Sequence, residues 1–234
     1  MYHEVAEELI QDILANKYTD KLPTEKELVE QYQVSRNTIR KALDVVFAHG
    51  MLRRVRGSGY YIIKKPLQSQ TVLNLSIGFD KNSMVSGGPL RSKVVLFDVI
   101  EADDELARRG NVHVGEKMYQ VVRLRYLKDK LYSLEESYFP RAVVPFLSQE
   151  SVEHSIFSFL KEAYQITGNT SENYVHMQAL TARQAELMER RKDEQIMCLD
   201  GINYLASGKV FNFSRTYFAY PDLALYYHTQ SLDI

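Results

Sequence analysis

Between residues 33 and 65 the chain carries eight Lys or Arg and a single Asp or Glu, a net charge of +7, whereas residues 1–32 sum to −5 and residues 66–234 to −3. A 234-residue protein of formal net charge −1 that gathers its positive charge into one stretch has built a patch, and a polyanion is its natural partner. The same stretch limits the fold, because its apolar residues must be buried without burying the charges. In "VSRNTIRKAL", residues 34–43, a polar start gives way to apolar positions, and Ile39, Ala42, Leu43, Val46 and Phe47 recur at helical spacing until Gly50. That spacing predicts a helix with one buried stripe. A solvated helix face would account for the helix alone, but the basic bias continues into "MLRRVRGSGYYII", where apolar and basic residues alternate around Gly57-Ser58-Gly59. This second pattern predicts a hairpin with a basic tip.

Two more helices precede it. Val5, Leu9, Ile10 and Ile13 share one face of a first helix that should stop near Asn16. In "PTEKELVEQY", Thr24 can cap a second helix and Glu27 can reach back to the cap, with Leu28 and Tyr32 facing the core. After the short turn Gln33-Val34, Ser35 is placed to cap the third helix. Two helices joined by a tight turn, followed by a basic ribbon, make a winged helix-turn-helix. Arg36, Asn37, Thr38 and Arg40 then occupy the exposed leading turns that enter a major groove. Arginine binds guanine O6 and N7 with two hydrogen bonds, while Ser and Thr hydroxyls mostly hold phosphate. Arg36 is therefore the candidate for base readout, and Ser35, Thr38 and Arg40 suit either purpose. Ser35 is also an N-cap, a role compatible with a phosphate contact.

Past "KKPLQSQTV", residues 64–72, a basic, polar and proline-broken stretch that reads as a linker, the chain is rich in strands. SKVVLFDVIEA, MYQVVRLRYL, LYSLEESYF, IMCLDGINYLA and VFNFSRTYFAY are β-branched and aromatic, with hairpin turns at Lys128-Asp129-Lys130 and Ser207-Gly208. Helices are expected from Asp103 to Arg109, from Ser155 to Tyr164, and from Thr181 to about Lys192. The product is an α+β domain with a mainly antiparallel sheet. Arg123 and Arg125, two apart on one strand, project from the same face, and two like charges side by side call for an anion. A phosphate or carboxylate suits two guanidiniums, and Glu135 on the next strand can accept from them or from sugar hydroxyls. A salt bridge among Arg123, Arg125, Glu135 and Glu136 is the plainer alternative. Ser155 likewise is either a helix cap or, with the free N–H groups there, a phosphate contact.

"LPTEKELVEQYQVSRNTIRKAL" with "HGMLRRVRGSGYYI" resembles the DNA-binding domain of the GntR family of bacterial transcription regulators over residues 2–65. By that resemblance the DNA-contacting positions are Lys26, Ser35, Arg36, Thr38 and Arg40 in the helices, and Arg56 and Gly57 in the wing. Lys26 replaces a usual arginine, which keeps the charge and loses the bidentate fork. The order of strands after residue 72, with "SKVVLFDV", "VVRLRYL", "LEESYFP" and "HSIF", is similar to the ligand-sensing UTRA domain of the HutC-like branch, which shares the chorismate-lyase fold. That likeness implies an effector site at Gly78, Phe79, Arg123, Arg125, Glu135, Ser155 and Tyr217, with Phe157 where sugar-phosphate sensors often have tyrosine. It implies domains at 1–65 and 73–234 joined by 66–72. It also implies a homodimeric repressor of a palindromic duplex operator, controlled by a small anionic effector such as a sugar phosphate or organic acid. The alternative is a chorismate-lyase-like enzyme or ligand-binding protein tethered to DNA.

Other chemistry finds little support. The histidines at 3, 49, 113, 154, 176 and 228 have no metal-ligand spacing, no phosphate-binding glycine loop appears, and there is no nucleophile elbow. No catalytic residue, metal or cofactor is expected. Cys198, alone in "IMCL", reads as a buried small side chain, in keeping with a reducing compartment. No apolar run approaches the roughly 18 residues of a membrane span, and "MYHEVAEELI" is charged and amphipathic, so the expected location is the cytoplasm.

Overall fold

Helix α1 (Tyr2–Leu14) turns Val5, Ala6, Leu9 and Ile13 inward, with Leu9 fully enclosed. Helix α2 (Glu25–Tyr32) begins at a reciprocal cap in which the Thr24 N–H donates to Glu27 Oε2 at 2.7 Å and the Glu27 N–H donates to Thr24 Oγ1 at 3.3 Å. It ends on Gln33 in the left-handed region, φ 51°, which reverses the chain into α3 (Arg36–Ala48). Ile39, Ala42, Leu43 and Val46 of α3 are wholly buried against Leu9, Leu28 and Leu52, while Phe47 is partly buried at the margin. Strands β1 (Leu52–Val55) and β2 (Gly59–Ile62) form the antiparallel ribbon. Its tip relies on glycine, since φ is +76° at Gly57 and +112° at Gly59. The segment before α2 is stitched onto β2 by Leu22 N–H to Tyr60 O at 3.0 Å and Ile62 N–H to Asp20 O at 2.8 Å. The winged helix-turn-helix is thus one core with a basic ribbon on its side.

The computed structural model describes residues 1–48, 50–63, 71–74, 90–127, 129–219 and 223–226. These divide into two units. The first holds the elements above together with β3 (Thr71–Asn74) and β10 (Leu223–Tyr226), which pair in parallel. Thr71 and Val72, assigned to the linker from sequence, therefore lie in a strand, and the second unit spans Gly87–Pro221 rather than starting at residue 73.

The second unit is a six-stranded sheet of β4 (Arg91–Glu101), β5 (Lys117–Leu127), β6 (Lys130–Pro140), β7 (Thr170–Ala179), β8 (Gln195–Tyr204) and β9 (Val210–Phe218). The order is β4-β5-β6-β9-β8-β7, antiparallel throughout. Its helices are α4 (Asp104–Gly110), α5 (Gln149–Glu153), α6 (Ile156–Tyr164) and α7 (Ala182–Leu187). The two-residue period of the strands sorts the side chains into two cores. Tyr119, Val121 and Phe139 pack with Val152, Ile156 and Leu160 of α5 and α6. On the other face Val122, Leu124, Leu134, Cys198 and Tyr217 pack with Ala185 and Met188.

Helix α7 stops at Leu187, short of the expected Lys192, because the chain turns left-handed at Glu189 (φ 53°) and the Arg190 N–H returns to Ala185 O at 2.8 Å. Strand β7 and helix α5 were absent from the expected elements; β7 is exposed along most of its length and so lacks the apolar alternation that marks a strand.

Gly110, at the end of α4, lies so close to the sheet that an added Cβ would fall 2.3 Å from the ring of Phe213. That ring is buried and stacks on Tyr138 at 5.0 Å, so it cannot give way cheaply. Gly110→Ala should destabilise the protein by about 1–3 kcal/mol, seen as a lower urea midpoint at unchanged m-value.

Candidate functional site

The exposed side of α3 is organised by a carboxylate from α2. Glu25 Oε2 accepts from Arg36 Nε at 2.8 Å and from Arg40 Nε at 3.0 Å, so one acid holds two arginines side by side on consecutive turns. Both guanidiniums remain accessible, at 69% and 54% side-chain exposure, whereas Glu25 beneath them is at 16%. Burial would raise the Glu25 carboxyl, but the hydrogen bonds from Arg36 and Arg40 outweigh it and hold the acid below the ordinary glutamate range. Ser35 is the N-cap, accepting the Thr38 N–H at 3.1 Å with its hydroxyl 2.9 Å from that of Thr38. Asn37 is exposed beside them. Lys26 is almost fully exposed and its Nζ lies 3.9 Å from Glu30. In the wing Arg53 and Arg54 lie over Tyr61 and Tyr60, and Arg56 and Gly57 stand exposed at the tip. The expected DNA-contacting residues therefore lie on α2, the start of α3 and the wing tip of one unit, most of them exposed. Glu25 is the member that sequence reasoning missed, and its signal was an acid directly after the Thr24 cap.

In the second unit Arg123 and Arg125 are both 5% exposed on β5, pointing to the face covered by α5 and α6. Glu135, directly opposite Arg123 on β6, accepts from Arg123 Nη2 at 2.9 Å and lies 3.5 Å from Arg125 Nη1. Ser137 donates to its other oxygen at 2.9 Å. Arg123 Nη1 reaches across to the carbonyls of Val152, at 3.2 Å, and His154, at 3.0 Å, and so fastens the junction of α5 and α6 to the sheet. Ser155 follows at once and caps α6 through the Ser158 N–H at 3.4 Å. Burial would raise the Glu135 carboxyl, yet the charges of Arg123 and Arg125 prevail and hold it below the ordinary range. The buried Arg123 Nε and Ser133 Oγ have no hydrogen-bond partner among the described residues. A cleft of about 530 Å³ opens beside the cluster, lined by Ser92, Lys93 and Val94 of β4 and by Gln149, Glu153 and His154. Ser92 and Val94 are the register partners of Arg125 and Arg123.

The structure brings Arg123, Arg125 and Glu135 together with Ser155 on one face of the sheet. It does not bring Tyr217 there. On β9 it is Thr216 that stands opposite Glu135, so Tyr217, one residue on, points to the other core, where its hydroxyl accepts from Gln184 Nε2 at 2.8 Å. Gly78 and Phe79 lie outside the described residues. The plainer expectation of a salt bridge is met by Glu135, while Glu136 points to the opposite face and accepts from Gln184. Among the described residues no group of three or more His, Cys, Asp or Glu is placed to hold a metal ion, and no helix is long and apolar enough to cross a membrane.

A winged helix-turn-helix with a basic reading surface, joined to an α+β domain with a buried arginine cluster and a cleft, defines a DNA-binding regulator with a ligand-sensing domain. Residues 1–62 match the family model described as bacterial regulatory proteins, gntR family, and residues 86–221 match the UTRA domain. The chain belongs to the GntR family and is a transcriptional regulator with a UTRA ligand-binding domain. It is similar to the uncharacterized HTH-type transcriptional regulator YydK of Bacillus subtilis, 30% identical over 201 residues that cover 86% of this chain and 84% of that one. It is also similar to the mannosyl-D-glycerate transport/metabolism system repressor MngR of Escherichia coli, 30% identical over 224 residues covering 95% and 92%. The crystal structure of YydK superposes with a TM-score of 0.80 at 27% identity, covering 98% of this chain and 99% of that chain. The family and its named relatives are regulators of transcription, which bind operators and sense small molecules.

Glu135→Gln leaves two buried guanidiniums facing a neutral amide and should cost on the order of 3 kcal/mol at neutral pH. Because the folded-state Glu135 pKa is depressed, the carboxylate's contribution is present above the unfolded value of about 4.3 and is lost as pH falls below it. The stability gap between wild type and variant, measured by urea unfolding, should therefore be full at neutral pH and narrow progressively as the pH falls below about 4.3 toward the depressed folded-state value.

Proposed function

We propose that the protein is a homodimeric repressor in the cytoplasm that reads a palindromic duplex with α3 and the wing and is controlled by a small anionic effector held at Arg123, Arg125 and Glu135. The reading rests first on the paired, exposed Arg36 and Arg40, held at fixed spacing by Glu25 beside a basic ribbon. In it Arg36 reads a base edge, Ser35, Asn37, Thr38 and Arg40 divide between base and phosphate, and Lys26, Arg56 and Gly57 meet the backbone. Support for an anionic effector comes from two buried guanidiniums sharing one described carboxylate next to a cleft. MngR is named for mannosyl-D-glycerate, and glycerate is a carboxylate. Ser155 at the cap of α6 would contribute its hydroxyl, and Gly78 and Phe79 belong to the same proposed site. The segment 64–72 and the parallel pair β3 and β10 would carry the effector's influence to the reading heads.

The DNA half is tested by fluorescence anisotropy against a panel of duplexes at several salt concentrations. Arg36→Ala should lose about 1–3 kcal/mol of discrimination at one position of each half-site, while Lys26→Ala should weaken all sequences evenly and flatten the salt slope. Equal binding of every duplex by the wild type would refute sequence-specific reading. For the effector half, a thermal-shift screen of phosphorylated sugars and small carboxylic acids identifies a ligand by the rise in melting temperature. Arg125→Ala should then keep its operator affinity but lose the ligand's effect on it, a coupling of about 1–3 kcal/mol or 5–150-fold. An undiminished response in Arg125→Ala would return the arginines to a purely structural role.

A further inference from the structure

We propose that β7 is the strand through which two copies of this chain join, edge to edge and antiparallel, about a two-fold axis passing at Tyr174. This rests on the homodimer reading above and adds to it the surface and the register.

The two edges of the six-stranded sheet are built differently. On β4 the described edge carries Arg91, Lys93, Asp98 and Glu101 and is broken by a bulge between Val94 and Leu96. Charges and bulges are the usual means by which an edge strand refuses another strand. The β7 edge has no bulge and a single carboxylate, Glu172. Its register with β8 runs unbroken from Thr170↔Tyr204 to Ala179↔Gln195, with no Lys, Arg or Pro along it. It nevertheless exposes Tyr174 at 57%, Val175 at 43% and Met177 at 60%. A long, regular, partly apolar strand that has no strand on its outer side among the described residues is a template for one more strand.

A second copy is the occupant that the side chains specify. In an antiparallel pair related by a two-fold axis normal to the sheet, opposite residues share a face, so the axis must pass at a residue. The acid and the imidazole of β7, Glu172 and His176, both lie on the face of Tyr174. An axis at Glu172 sets two carboxylates against each other, and an axis at His176 sets two imidazoles together. Only an axis at Tyr174 puts Glu172 opposite the partner's His176, and symmetry makes that contact twice. The same register sets Tyr174 against its own copy, Asn173 against the partner's Val175 and Ser171 against the partner's Met177. Within one subunit the Tyr174 hydroxyl already donates to Glu172 Oε2 at 2.9 Å, and His176 Nε2 lies 3.3 Å from Asp200, which Arg215 also holds. The groups that meet across the axis are thereby fixed in place before association.

The test uses the full-length protein. Opposite residues in an antiparallel pair have Cα atoms about 4.5–5.5 Å apart, inside the disulfide range of about 4.4–6.8 Å. Tyr174→Cys should therefore cross-link to a covalent dimer on mild oxidation, and Val99→Cys, on the other edge, should not. Cys198 gives no background, being buried with its thiol pushed up to about 12 by burial. Sedimentation velocity on the wild type reports whether it dimerises at all, and the Val175→Lys, Met177→Lys double variant should shift it toward monomer at micromolar concentration. A wild-type dimer whose Tyr174→Cys form stays uncross-linked, or which withstands the double substitution, overturns the β7 interface and leaves the homodimer reading standing. A monomeric wild type removes both.

Discussion

The proposed effector site of the sheet domain hangs on the pairing of Arg123 with Glu135. Taking a guanidinium and a carboxylate out of water costs several kcal/mol for each ion, and direct pairing returns that cost only when the remaining donors and lone pairs are also met. The protein meets them with groups from elsewhere in the fold. Ser137 satisfies the second carboxylate oxygen, and the carbonyls of Val152 and His154 satisfy Arg123 Nη1. Those carbonyls belong to the end of α5 and the turn into α6. The ion pair is therefore also the clamp that sets where α6 begins and where Ser155 stands.

The DNA-binding unit repeats the arrangement in different surroundings. Glu25 serves Arg36 and Arg40 as Glu135 serves Arg123 and Arg125, one acid between two arginines. The difference lies in solvent. Arg36 and Arg40 are mostly exposed, so their attraction to Glu25 is screened and contributes on the order of 1 kcal/mol or less per pair. Its value is positional, because it holds two long side chains near one geometry and spares some of the entropy that ordering them would cost on binding. Arg123 and Arg125 are enclosed, so there the same chemistry governs stability.

Much of this was legible in the sequence, and the limits have physical causes. The three N-terminal helices and the ribbon were readable because apolar spacing marks each helix and capping residues mark the second and third, as with Thr24, Glu27 and the stripe from Ile39 to Val46. Strands β4, β5, β6, β8 and β9 were readable because each has at least one face that is partly or fully buried. Strand β7 was not, since TSENYVHMQA has almost no buried side chain and its partner supplies the order. The end of α7 was missed because a left-handed turn at Glu189 leaves no glycine to announce it. In the site, Arg123, Arg125 and Glu135 followed from parity along two neighbouring strands. Tyr217 failed by the same parity. Its place relative to Glu135 depends on the pairing of β6 with β9, and strands distant in sequence carry no local record of their register.

That parity bears on how an anion would act. A ligand shifts an equilibrium only by binding one state better than another. An anion arriving between Arg123 and Arg125 from the cleft brings charge that Glu135 already supplies, so it gains little unless the guanidiniums have capacity left over. Arg123 Nε and Ser133 Oγ, both buried and without a partner among the described residues, are such capacity. Filling them removes a desolvation cost of about 1–3 kcal/mol per group, similar in size to the coupling that regulation requires. Because Arg123 also holds the Val152 and His154 carbonyls, any turn of its guanidinium toward a ligand strains or releases the α5–α6 junction. In the proposed reading, ligand capture and the position of α6 are for that reason a single adjustment about one side chain.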